Sequence, residues 1–152
     1  MEYIVFEDKP QTDLWMKLTL VVPIVALAVG SLFVMRENMY AGLALLGEAF
    51  LVGLVFICII PVAYRICIDK IQIAFRIPWS FDIPFSTISM LRSPRWYTAG
   101  INLPTCFSSS RALEIVRIKR MTVNISPSNR QVFISNFEKI YGEWKRENRS
   151  AI

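Results

Sequence analysis

The sequence predicts an α+β fold: a two-helix transmembrane hairpin, then a small β-barrel or sandwich capped by a C-terminal amphipathic helix. Three observations carry this. Residues 14–68 hold two apolar segments separated by Arg36-Glu37-Asn38. After Tyr64 the apolar residues alternate with polar ones, the period of half-buried strands. Beyond residue 126 the apolar spacing becomes that of one helical face. The expected divisions are a short tail over 1–13, the hairpin over 14–65, the second domain over 66–147 and a tail over 148–152.

Composition agrees with a split chain. Of 152 residues, 54% are hydrophobic, against roughly 45–50% in ordinary globular domains. The excess lies before residue 65. Charge is divided just as unevenly: residues 65–152 carry 14 Lys/Arg against 6 Asp/Glu. A basic domain beside a membrane anchor faces anionic headgroups, although a solvated surface obeying the positive-inside rule has the same composition.

Residues 1–13 are net acidic and lack the basic region and cleavage site of a secretory signal, so the first apolar segment is expected to remain as an anchor. Glu2 to Glu7 predicts a brief strand at most. Residues 18–35 are 18 uncharged positions, about 27 Å as a helix, enough to cross the hydrocarbon core with flanking help. Trp15 and Lys17 supply that help. The second segment is read as ending at the aromatic–basic pair Tyr64-Arg65, which places its outer end near Leu45. Arg65, Lys70 and Arg76 follow the second segment and only Arg36 lies in the connection. Both termini are therefore expected in the cytoplasm.

Glu48 is the one ionisable residue inside the apolar region. It reads either as a proton carrier or partner for another subunit's cation, or as a boundary residue within reach of headgroups. The expected outer end near Leu45 favours the second. Ala26-x-x-x-Gly30 and Ala49-x-x-x-Gly53 are small pairs at helical spacing and matching depth; contact between them is the economical expectation, and either pair serving a partner helix is the alternative.

In the second domain Ile71, Ile73, Phe75 and Ile77 alternate with Gln72, Ala74 and Arg76. Phe81, Ile83 and Phe85 repeat the pattern. Ile88 to Leu91 continues after a bend, and 113–118 and 121–125 make a further pair, with Met121, Val123 and Ile125 facing in. Ser126-Pro127 reads as a helix start, serine as N-cap and proline at the first helical position. Phe133, Phe137, Ile140, Tyr141 and Trp144 then form one stripe, expected to cover the open end of the sheet.

Residues 93–110 form a long loop without periodicity, and such loops are commonly functional. Arg92, Arg95, Trp96 and Tyr97 mix cations with large aromatics, which suits contact with a protein partner or lipid as well as packing in the barrel. Lys119 and Arg120 join the second pair of strands and are candidates for the same contact. No recognised RNA or DNA module accompanies this patch, so no nucleic-acid partner is expected.

The order of elements and the ending Leu113-Glu114-Ile115, Val123-Asn124-Ile125-Ser126-Pro127, Phe133-Ile134 and Phe137 resemble the bacterial pleckstrin-homology (PH) families, and within them short membrane-anchored members with an N-terminal hairpin. The resemblance covers most of the chain; its most specific part is the Ile-Ser-Pro to Phe-Ile junction. It implies a PH-like barrel without enzyme activity, serving as a platform for a protein or for anionic lipid. Lys70 and Arg76 are too few in the first strand loop to carry over phosphoinositide binding. An accessory subunit of a larger membrane complex, bound through its hairpin, is the alternative. Cys58, Cys67 and Cys106 have no ligand spacing and histidine is missing, so neither metal nor cofactor is expected. The lack of any base–nucleophile pair argues against an enzyme.

Overall fold

The computed structural model describes residues 3–94, 100–103 and 111–149. Strand β1 (Ile4–Asp8) runs antiparallel to β2 (Pro61–Cys67), with Glu7 opposite Arg65 and Asp8 opposite Tyr64. The first residues are thus more than the expected tail: they supply the edge strand of a sheet. Both apolar helices lie between these paired strands.

Helices α1 (Leu14–Glu37) and α2 (Met39–Ile59) are each long and apolar enough to cross a membrane. Most of their surface is exposed rather than covered by protein. A single residue, Asn38, joins them. Its N–H donates to the Val34 carbonyl at 2.8 Å, closing α1. Its side-chain oxygen accepts from the Tyr40 and Ala41 N–H groups at 3.1 and 3.2 Å, opening α2. One asparagine satisfies groups at both helix ends.

The helices meet along a narrow seam. Ser31 of α1 and Gly42 and Ala49 of α2 are buried. A Cβ on Gly42 would lie 2.7 Å from the Met35 nitrogen and 2.8 Å from its Cα, so only glycine fits this approach. Gly53 faces Ile24, whose Cδ1 lies 3.7 Å from the place of a Cβ. Met35 faces Gly42 and Ile24 faces Gly53, the same span of sequence on each antiparallel helix, with Ser31 and Ala49 buried between these two contacts.

α2 ends at Ile59, five residues before the expected Tyr64, because Pro61 drives the residue before it out of the helical region. Ile60 is extended (φ −70°, ψ 122°) and Pro61 already opens β2. Strands β3 (Lys70–Phe75) and β4 (Ser80–Pro84) complete an antiparallel sheet in the order β1-β2-β3-β4. After a 3-10 turn over Phe85–Thr87, strands β5 (Ile88–Arg92), β6 (Gly100–Asn102), β7 (Leu113–Arg117) and β8 (Thr122–Ile125) form a second sheet. Its order is β5-β7-β8-β6, with β6 parallel to β8. The architecture is therefore α+β, with two four-stranded sheets in place of a closed barrel.

The core lies between the sheets and helix α3 (Arg130–Arg149). Ile66, Ile71, Ile73 and Ile83 of one sheet meet Leu113, Ile115, Val123 and Ile125 of the other. From α3, Phe133, Phe137 and Ile140 are buried, with Tyr141 and Trp144 packed beside them. Phe85 sits edge-on to Phe137, Tyr141 and Trp144 at 5.5–5.8 Å between centroids. The Tyr141 hydroxyl donates to the Ile88 carbonyl at 2.9 Å, fixing the helix to β5.

Two further expectations change. α3 starts at Arg130, capped by Asn129, whose side-chain oxygen accepts from the Val132 N–H at 3.1 Å. Ser126 lies four residues before the helix and serves the junction instead, its carbonyl accepting from the Gln11 N–H at 2.8 Å while Pro127 bridges Pro10. Met121 is exposed rather than inward, and Asn124 is buried, its amide donating to Asn102 Oδ1 at 2.5 Å.

Candidate interface at the helix–sheet junction

The single extended residue Ile60 sets the geometry of the junction. Pro61 stands opposite Phe75 in the β2–β3 register. That pairing carries the end of β3 and the turn after it back to the bases of the helices. In the turn, the Trp79 N–H donates to the Ile77 carbonyl at 2.7 Å. The Trp79 ring stacks on Phe75 with centroids 5.1 Å apart and planes at 26°. Trp79 is nevertheless 55% exposed, and Ile77 and Val62 beside it are also open. An aromatic and two aliphatic side chains thus stand on the rim nearest the apolar helices.

Charge at this rim is sorted by pairing. Glu7 accepts from Arg65 Nε at 2.7 Å, and Asp13 accepts from Arg111 at 3.0 Å. The Asp8 carboxylate takes the Ser128 hydroxyl and, at 3.2 Å, the Asn129 N–H. The acidic groups flanking the helix bases therefore have partners. Lys9, Lys17 and Arg76 form no ion pair among the described residues.

Two of these cations border a cleft of about 300 Å³, lined by Lys9, Thr12, Ile57, Ile60, Val62 and Arg76. A second groove of about 530 Å³ runs on along the helices past Lys17, Leu20, Val21, Gly53 and Phe56. The two share Thr12, Ile57 and Ile60, so they adjoin. One end is cationic and the other almost wholly apolar. Among the described residues no group of His, Cys, Asp and Glu is placed to hold a metal ion.

The residues singled out from sequence fall in different places. Arg92 is not a free surface cation: its Nε and Nη2 donate to the two oxygens of Glu114 at 2.8 and 3.0 Å, and the Glu114 side chain is fully buried. The bond to Glu114 raises the Arg92 pKa. Arg95, Trp96 and Tyr97 lie outside the described residues. Lys119 and Arg120 are exposed at the β7–β8 turn, between exposed Ile118 and Met121. Lys119 adopts a left-handed conformation at φ 54°. Neighbouring Arg117 has its pKa lowered by burial and then by the charge of Arg120.

That turn and the junction are at opposite ends of β8. The Ile125 end is tied to the helix bases through Gln11 and Leu103, which bond to Ser126 and Asn124. Arg92 pairs with Glu114, and Glu114 with Asn124, so Arg92 is also remote from Lys119 and Arg120.

In the hairpin, Ala49 is buried and Gly53 faces Ile24, but Ala26 is exposed and a Cβ on Gly30 would meet nothing within 4 Å. The seam uses Ser31 and Met35 instead. Glu48 is exposed nine residues after Met39 in a helix of 21, near its midpoint rather than one turn from its end. The shift follows from α2 starting at Met39 and stopping at Ile59.

Sequence reasoning passed over Lys9 and Trp79, and weighed Arg76 as a topology signal and, with Lys70, as too thin a cluster for phosphoinositide binding. The sequence Arg76-Ile77-Pro78-Trp79, a cation and an aromatic around a proline turn, held the information. Its position beside the helices came only from the Pro61–Phe75 register. No family model matches the chain, and no curated protein is significantly similar to it.

Proposed function

We propose that this protein is a non-catalytic, membrane-anchored docking module of PH-like type, held on the cytoplasmic face by its helical hairpin. The observation that carries this reading is the one-residue link at Ile60 between α2 and β2. On the other side β1 reaches α1 through residues 9–13, which are tied to the second sheet by the Gln11–Ser126 bond and the Pro10–Pro127 bridge, so the sheets have little freedom to leave the helix bases. In a bilayer, Trp15, Lys17, Trp79 and Arg76 fall at headgroup depth, the level that aromatic and cationic side chains favour. The cationic excess after α2 favours the cytoplasmic side. Support for the PH-like assignment is the succession of two sheets and a C-terminal helix whose Phe133 and Phe137 are buried on them.

In this reading the β7–β8 turn points away from the membrane. Lys119 and Arg120 between Ile118 and Met121 form a cationic and apolar tip suited to a protein partner. The test is affinity purification of the full chain from native membranes, comparing the parent with Lys119→Glu/Arg120→Glu. Proteins recovered with the parent and lost from the variant, while both stay membrane-inserted, support docking at the tip. An unchanged set of proteins refutes it.

Glu48 favours a second reading, the accessory subunit bound through its hairpin. A carboxylate near mid-helix on an outward face is costly in lipid unless a neighbouring helix supplies a hydrogen-bond donor. Under that reading Glu48→Leu releases the partner, whereas deletion of residues 70–152 retains it.

A further inference from the structure

We infer that the junction cleft and the groove beyond it are a binding site for one anionic glycerophospholipid. The inference rests on the membrane-anchored reading. The headgroup phosphate lies between Lys9 and Arg76, with Thr12 beside it, and an acyl chain follows the apolar groove past Ile57, Val21 and Phe56.

Three features lead to this ligand. The first is adjacency: the cleft and the groove share Thr12, Ile57 and Ile60 as lining, which suits a molecule charged at one end and apolar at the other. The second is charge selection. Glu7 and Asp13 are each matched by an arginine and Asp8 is turned to Ser128 and Asn129, so against the one unmatched carboxylate the three cations Lys9, Arg76 and Lys17 leave the cleft net positive. A zwitterionic headgroup would bring an ammonium into that field; an anionic one brings only negative charge. The third is shape. The cleft lies between two rigid walls, the helix bases on one side and the start of β2 on the other. A lipid seated there contacts both layers of the protein, unlike lipids that merely surround a helix. Soluble phosphate esters satisfy the cations but leave the groove empty.

The test uses the full chain in nanodiscs of phosphatidylcholine with a minor fraction of phosphatidylglycerol, counting lipids retained after transfer to detergent by native mass spectrometry. The parent is expected to keep one phosphatidylglycerol in preference to phosphatidylcholine. Lys9→Ala and Arg76→Ala should each weaken that preference about fivefold, in line with about 1 kcal/mol per surface cation. Lys119→Ala/Arg120→Ala, at the far end of β8, should leave it unchanged. Replacing Val21 by Trp, which fills the groove and leaves every cation, should also lower retention.

Equal retention of the two lipids by the parent overturns the proposal, as does a preference unaffected by Lys9 and Arg76. Displacement of the lipid by glycerol 3-phosphate alone would show that the chain groove takes no part and overturns it as well. Failure of the anchor itself is separately visible, because the protein would then not enter nanodiscs. Failure of tip docking shows only in the purification experiment.

Discussion

Arg92 and Glu114 form a two-toothed ion pair between adjacent strands, with both guanidinium contacts at or below 3.0 Å and the carboxylate fully buried. A carboxylate in that position depends on its partner. Arg92→Ala leaves the charge buried and unpaired, and the expected outcome is a clear loss of stability. The double variant Arg92→Met/Glu114→Met should lose less than Arg92→Ala alone. Thermal unfolding of the full chain in detergent measures both. Any binding defect of an Arg92 variant is therefore first a defect of the fold.

The hairpin should respond to one glycine and ignore two others. Gly42→Ala drives a methyl into the Met35 backbone and should destabilise helix pairing by roughly 1–3 kcal/mol. A Cβ on Gly30 or Gly47 meets nothing within 4 Å, so Gly30→Ala and Gly47→Ala should be tolerated. Disulfide cross-linking between cysteines placed near the ends of α1 and α2 reads the pairing directly. Equal effects at all three positions would contradict the seam.

Asp82 gives an acid limb to stability. Burial raises its pKa, but hydrogen bonds from Lys70 and Gln72, the Lys70 charge and the Ser80 hydroxyl outweigh that, so it lies below the ordinary 3.8. The Lys70 contact is 2.6 Å. A carboxylate with a lowered folded pKa stabilises fully above its unfolded value, and that contribution fades as pH falls through the folded one. Asp82→Asn should flatten the fall in melting temperature between about pH 4 and pH 2, and leave its slope near neutrality alone.

Trp79 should report the level of the junction. With Trp15, Trp96 and Trp144 replaced by Phe, the remaining fluorescence should be quenched more strongly by a spin label near the headgroup than by one at the chain end. Quenching by aqueous iodide as strong as that of free tryptophan would place the turn in water and remove it from the interface.

Legibility in the sequence followed the strength of local pattern. The two apolar helices and the Phe133–Phe137–Ile140 stripe of α3 were readable because each element declares its buried face by its own period. The seam was not. Ala26-x-x-x-Gly30 and the Ile24–Ser31–Met35 face are both plausible contact surfaces of α1, and only the one-residue turn at Asn38 selects between them. Glu114 was hidden for a different reason: a charged residue between Leu113 and Ile115 looks like the wet face of a strand, whereas Arg92 on β5 turns that face into a buried pair. The junction was misplaced because Tyr64-Arg65 resembles a membrane-edge pair. Tyr64 is in fact core, its hydroxyl donating to the Leu103 carbonyl and accepting from the Ser126 N–H, both at 3.3 Å.

The pairing of β1 with β2 makes the whole helical hairpin, topologically, the loop of a β-hairpin. Its helices therefore cannot slide past one another independently of the sheet. A relative displacement of about 3.3 Å, one residue of strand, would shift the β1–β2 register and turn every β1 side chain to the opposite face. Phe6, now packed edge-on to Phe133 at 6.2 Å, would lose that contact, and Glu7 would no longer face Arg65. The sheet therefore acts as a ratchet pawl on the helix pair: the hairpin can move as one body, whereas a stroke of one helix along the other must first break the β1–β2 register.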